Sequence, residues 1–229
     1  MIALRFIAIC TRYVITHLHT LCCRLPFPMS MKVITIAHQK GGVGKTTLAI
    51  NLAYCFAEGA KVAIVDADVQ GSVTDLKEFL TGVDVITLDG LVGGQLSGYD
   101  LIIVDTPPYL SNRLAELFAL SDYVLVPTKA GILDAMAIRA TIALLRQSMA
   151  LKPALKAGIV LNMVMPRTSL NVEVREILSD YTIPLHLATI GHRVSYTRSP
   201  MTNGVFTGED SRAKSEVEAL ADEILDRIG

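Results

Sequence analysis

Near-continuous apolar runs recur along the chain at 33–37, 62–66, 101–105, 123–127 and 157–162, with a shorter one at 185–190. A strand covered on one face alternates apolar and polar positions. An unbroken run of Val, Ile and Leu fits a strand buried on both faces. Between these runs, apolar residues return at helical spacing over 46–58, 72–80, 113–119, 133–150 and 170–180. The carboxyl end does so again over 211–228, where Val217, Leu220, Ala221, Ile224, Leu225 and Ile228 share one face. Strand and helix in alternation predict an α/β fold, a mostly parallel twisted sheet with helices on both faces. Ligands of such sheets gather at the carboxyl ends of the strands.

Composition narrows the picture. A chain of 229 residues suits one α/β domain. A net charge of −1 gives no bulk attraction for nucleic acid, so any contact with DNA needs a local cationic patch. Cys10, Cys22, Cys23 and Cys55 form no C-x-x-C pair and no disulfide framework, which predicts a reducing cytoplasm. Residues 1–30 are apolar but interrupted by Arg5, Arg12, His17, His19 and Arg24. They are too broken for a membrane span and lack the basic start and cleavage site of a signal peptide. We expect them to be an extension outside the native product, produced by the choice of start codon, with the domain at 31–229.

The chemistry concentrates where the first run ends. His38-Gln39-Lys40-Gly41-Gly42-Val43-Gly44-Lys45-Thr46-Thr47 stands between a predicted strand and a predicted helix. Glycines let backbone N–H groups turn inward on an anion, and the first helical turn adds unpaired N–H groups. Strand, glycine loop and helix in this order make a phosphate loop. Lys45 would reach the β- and γ-phosphates, and the Thr46 hydroxyl would sit on Mg²⁺. After the second run come Asp66 and Asp68; after the third, Asp105 opens Asp105-Thr106-Pro107-Pro108. A carboxylate ending an apolar strand can hold Mg²⁺ without blocking the γ-phosphate. Asp at a strand end also serves turns and helix caps, and for Asp66 and Asp68 that alternative stays open.

Lys40-Gly41-Gly42-x-Gly44-Lys45-Thr46 resembles the deviant Walker A motif of the ParA/MinD family of ATPases, a branch of the P-loop NTPases. The resemblance implies ATP and Mg²⁺ as cofactors and the loop from Lys40 to Thr47 as the nucleotide cradle. It implies a homodimer when ATP is bound, with Lys40 crossing to the partner's nucleotide. Asp66 would then help hold the hydrated metal, Asp68 would orient the attacking water, and Asp105 would be the Walker B carboxylate. Val69 stands where the family has proline. Asn162, at the end of the 157–162 run, would read the adenine edge; its bland alternative is a strand-ending turn. Pro184 and 187–189 are further candidates for the base pocket.

The family divides by what is attached to this engine. Cysteine cluster ligands of a nitrogenase iron protein are missing. The last helix carries Glu216, Glu218, Asp222, Glu223 and Asp226 against Lys214 and Arg227, so it would be repelled by anionic lipid rather than bind it as a MinD tail does. Stretches 188–196, 203–206 and 213–218 look like the short ParF-type plasmid partition ATPase. That implies a slow, partner-stimulated ATPase that segregates DNA with a small ParB- or ParG-like DNA-bound adaptor, cytoplasmic and nucleoid-associated. Positioning of a protein cargo, such as a carboxysome or chemoreceptor cluster, is the alternative. Candidates for non-specific DNA contact are Arg167, Arg193, Arg198, Arg212 and Lys214, which could equally be a solvated face.

Overall fold

A computed structural model describes residues 30–68, 73–93, 96–108, 113–165 and 170–228. The expectation for residues 1–30 falls, apart from Ser30, outside them. Seven strands among the described residues form one parallel sheet: β1 (Lys32–Ile36), β2 (Val62–Asp66), β3 (Asp84–Thr87), β4 (Leu101–Asp105), β5 (Tyr123–Lys129), β6 (Lys156–Val164) and β7 (Leu185–Gly191), in the order β3-β2-β4-β1-β5-β6-β7. The helices are α1 (Lys45–Ala57), α2 (Leu88–Val92), α3 (Arg113–Leu120), α4 (Ile132–Ala137), α5 (Arg139–Leu151), α6 (Leu170–Ser179), α7 (Val194–Arg198) and α8 (Ser211–Ile228).

Side chains alternate between the two faces of each strand, and both faces are covered. Ile34, Ile36, Leu101, Ile103, Tyr123 and Leu125 pack under α1 and α8. Val124, Val126, Ile159 and Leu161 pack with α3 to α6, while Val33, Val65, Ile102 and Val104 pack with α2. This double burial explains why the strands read as apolar runs. β1 lies between β4 and β5. The strand order therefore turns at β1, and the crevice beyond its carboxyl end is the expected ligand site.

Three differences from the sequence reading have physical causes. β3 has half-exposed or exposed residues throughout and carries no apolar run. The predicted 133–150 helix divides at Ile138 into α4 and α5: α4 packs on β5 and α6, α5 on α3. The described part of 72–80 is a 3₁₀ turn, Thr74–Phe79.

The acidic face of α8 also reads differently in three dimensions. Glu223 accepts the N–H groups of Leu187 (3.0 Å) and Ala188 (2.6 Å), and Glu216 that of Gly191 (3.0 Å). Two carboxylates counted as a repulsive surface therefore close the outer edge of β7. Glu223 also takes His186 Nδ1 (2.8 Å), whose Nε2 meets the Tyr123 hydroxyl at 2.7 Å. Gly158 leaves room for this chain: a Cβ there would overlap the Tyr123 hydroxyl and the His186 ring. Among the described residues no helix is long and apolar enough to cross a membrane.

Candidate nucleotide site

The loop between β1 and α1 turns through two left-handed glycines, Gly42 (φ 69°) and Gly44 (φ 90°). Gly44 is doubly required, because a Cβ there would run into the Asn162 amide. Helix α1 starts at once, so its unpaired N–H groups face the loop. The loop, Lys45, Thr46 and Thr47, with Asp68, Thr106, Pro108 and Met163, line a cavity of about 330 Å³. A larger cavity of about 470 Å³ lies away from this chemistry, between β7 and α8.

The charges at the floor are incompletely satisfied. Lys45 is buried and, among the described residues, its Nζ reaches only the Lys40 carbonyl, at 3.4 Å. Burial pulls its pKa down, while Asp105 and Asp68 oppose the shift. Asp105 is 1% exposed, and burial pushes its pKa up to about 7 against the Thr46 hydrogen bond and the Lys45 charge. Thr46 Oγ1 donates to Asp105 Oδ2 at 2.6 Å, whereas Asp105 Oδ1 is buried with no partner among the described residues. An orphaned carboxylate oxygen beside a hydroxyl, with Asp68 on the same cavity, is a hard-oxygen set that fits Mg²⁺. No cluster of His, Cys, Asp and Glu among the described residues could hold a metal alone.

Two expected roles meet competing geometry. Asp66 Oδ2 accepts from Val73 N (2.9 Å), Thr74 N (2.9 Å) and Thr74 Oγ1 (3.0 Å), and Oδ1 from Asp68 N (3.0 Å). Against the metal role expected of it, Asp66 is occupied as the cap of the following turn. Asn162 Nδ2 donates to the Val43 carbonyl at 2.7 Å, and Oδ1 accepts from Met163 N at 2.8 Å. Its amide thus braces the phosphate loop instead of facing open space. Beside it, a cleft of about 220 Å³ is lined by Thr47, Asn162, Met163 and residues 191–193, 196 and 197. This cleft lies at the carboxyl end of β7. Pro184 lies at the opposite end of that strand, and its carbonyl accepts from Ile159 N. Met163 sits at the lip of both cavities with φ 54°, which favours glycine or asparagine.

Lys40 does not line the cavity. Its Nζ pairs with Asp134 Oδ1 of α4 at 2.6 Å, and its backbone N–H donates to His38 Nδ1 at 2.7 Å. His38 is 1% exposed, its Nε2 has no partner among the described residues, and burial first, then the Lys45 charge, lowers its pKa to about 4. Lys129, at the end of β5, brings its ammonium 3.9 Å from where a Cβ on Gly42 would stand. Nothing in the sequence marked Asp134 or Lys129, since both reach the loop only through the β5–α4 crossing.

Of the DNA candidates, Arg193 is spent internally: it pairs with Glu216 at 2.6 Å and lies 4.0 Å from Asp210. Arg198 and Arg212 are exposed and Lys214 is half-buried. Arg167 lies outside the described residues.

Known proteins resemble this chain in sequence and in fold. Residues 34–203 match the family described as the CobQ/CobB/MinD/ParA nucleotide binding domain. The chain is 28% identical over 207 residues to the maintenance of carboxysome distribution protein A of Halothiobacillus neapolitanus, covering 84% of this chain and 95% of that one. A putative plasmid partition protein of Borrelia burgdorferi bound to AMPPNP superimposes with a TM-score of 0.69 at 23% identity, over 86% of this chain and 99% of that one. The cobyrinic acid a,c-diamide synthase of Mycobacterium smegmatis, with an ATP analogue and magnesium, gives 0.67 at 20% identity, over 86% and 94%. With the match spanning both the phosphate loop and the Asp105 strand, the chain belongs to the CobQ/CobB/MinD/ParA family of nucleotide-binding domains.

Proposed function

We propose that this chain is an ATPase that cycles between a single and a paired state and uses the cycle to segregate DNA with a small DNA-bound adaptor. The carrying observation is the unfinished charge set at the loop floor: buried Lys45, the Thr46–Asp105 pair and the orphaned Asp105 Oδ1. Loop N–H groups and the start of α1 would bind the β- and γ-phosphates, with Lys45 neutralising them. Thr46 and Asp105 would hold Mg²⁺, which supplies charge neutralisation across the phosphate oxygens. Asp68, on the cavity wall, would orient water. The cleft beside Asn162 would take the base.

Lys40 points away from its own cavity, which supports its use on the nucleotide of a second copy. A cation supplied across an interface can contribute about 10³–10⁵ in rate. Lys40→Ala should therefore keep ATP binding and lose turnover, measured as Mg²⁺-dependent phosphate release. Retained turnover would overturn the assignment. DNA contact in the ATP state would make the protein nucleoid-associated in the cytoplasm, through Arg198, Arg212, Lys214 and Arg167.

A second reading has a specific observation behind it. The carboxysome distribution relative aligns along nearly its whole length, which favours the same engine positioning a protein body. Testing ATPase stimulation by duplex DNA, with and without the adaptor encoded beside the gene, separates the two. Stimulation by a DNA-binding adaptor supports segregation; stimulation only by a cargo-associated protein supports positioning.

A further inference from the structure

We infer that Asp134 is a positioning residue for Lys40, holding its ammonium in reserve until a second copy brings a triphosphate; this rests on the trans role of Lys40 proposed above. The backbone of Lys40 is fixed at both ends. Its N–H is held by His38 Nδ1, and its carbonyl lies 3.4 Å from Lys45 Nζ. Only the side chain has freedom, and it goes to Asp134 at 2.6 Å. The second Asp134 oxygen rests against Gly131, 2.7 Å from where a Cβ would stand, so the missing side chain at 131 makes room for the carboxylate.

The surroundings make the pair a competitor. Asp134 is the acid in the middle of an apolar surface: Ile132, Leu133 and Met136 of the same short helix are 43%, 77% and 43% exposed. A second copy covering this face would strip water from the ion pair. Desolvation costs more than the pair regains unless the ammonium finds a stronger anion. A triphosphate with its extra charge is one, and a diphosphate is a weaker one. Asp134 thereby sets how much nucleotide charge is needed before Lys40 leaves its own chain.

An exposed pair is worth at most about fivefold in an equilibrium, and a symmetric dimer breaks two, which sets a range reaching up to about 25-fold. The test uses the full chain with Mg²⁺ and a non-hydrolysable ATP analogue, and reads the dimer dissociation constant by sedimentation. Asp134→Asn should tighten the dimer within that range, leave nucleotide affinity of the single chain unchanged, and do nothing to the dimer constant in a Lys40→Ala background. Asp134→Glu, which keeps the charge, should return the constant towards wild type. An unchanged or weaker Asp134→Asn dimer would overturn the inference, as would an equal shift without Lys40. Failure of the wild type to pair at all would instead defeat the trans reading of Lys40, before any variant is made.

Discussion

The crevice beyond β1 and the seam between β7 and α8 both set charged side chains against backbone, buried in the crevice and half-buried at the seam, and they are finished to different degrees. At the seam every glutamate oxygen has work. Glu223 holds His186 and two amides, and Glu216 holds Gly191, Arg193 and the Tyr196 hydroxyl. At the crevice the opposite holds: Asp105 Oδ1 and His38 Nε2 are buried without partners, and Lys45 is desolvated beside one long contact. Unsatisfied buried polar groups are costly. A molecule that completes one network and leaves another open has reserved the second for a ligand. A completed network stabilises the fold; an open one gives up stability for binding.

The contrast can be broken first at Lys45. Lys45→Ala should reduce ATP turnover by about 100-fold or more and abolish productive binding in calorimetric titration, while the nucleotide-free melting temperature barely moves. A large loss of stability would mean Lys45 is structural.

Acid sharpens the same point. His38 is neutral in the folded chain because its pKa is lowered to about 4, and burial lowers that of His186 as well. The unfolded chain binds protons near pH 6.5, so these groups give their full stability above that value. The contribution drains away as pH falls towards 4, by about 3 kcal/mol for His38 alone. Urea unfolding at stepped pH measures it, and His38→Asn should flatten the slope.

Glu223→Ala strikes the finished seam. It strands the Leu187 and Ala188 amides and the buried His186 Nδ1, and should cost about 2–3 kcal/mol in urea unfolding. ATP affinity should stay as it was; a matching fall in affinity would mean the two regions are not separable. The smallest expected effect on stability has the opposite sign. Asp105→Asn can keep the Thr46 contact and removes a buried charge, so the nucleotide-free chain should gain about 1 kcal/mol while Mg²⁺-dependent turnover disappears. A destabilised Asp105→Asn chain would show that the crevice is not held open at a cost.

What the sequence conveyed follows from the same physics. The strands buried on both faces, the glycine loop and the bounds of α8 were legible, because burial and loop chemistry leave local patterns. β3 was not, since its exposed and half-exposed edge residues need no apolar run. The loop, Thr46 and Asp105 converge as their spacing suggested. The partners of Lys40, Asp66 and Asn162 could not be read from spacing. Asp134 is distant along the chain from Lys40, and Val43 from Asn162. Asp66 illustrates the limit differently: a carboxylate two residues from Asp68 reads the same whether it holds a metal or caps a turn.

The sealed flank of β7 has a consequence for crowding. Leu187, Ala188 and Gly191 have already given their amide hydrogens to α8, so neighbouring molecules packed at high local density find no docking row there for strand-on-strand growth. Growth by stitching sheets into an irreversible fibre is therefore disfavoured along that margin, and contacts made there have to run through side chains, which can be undone.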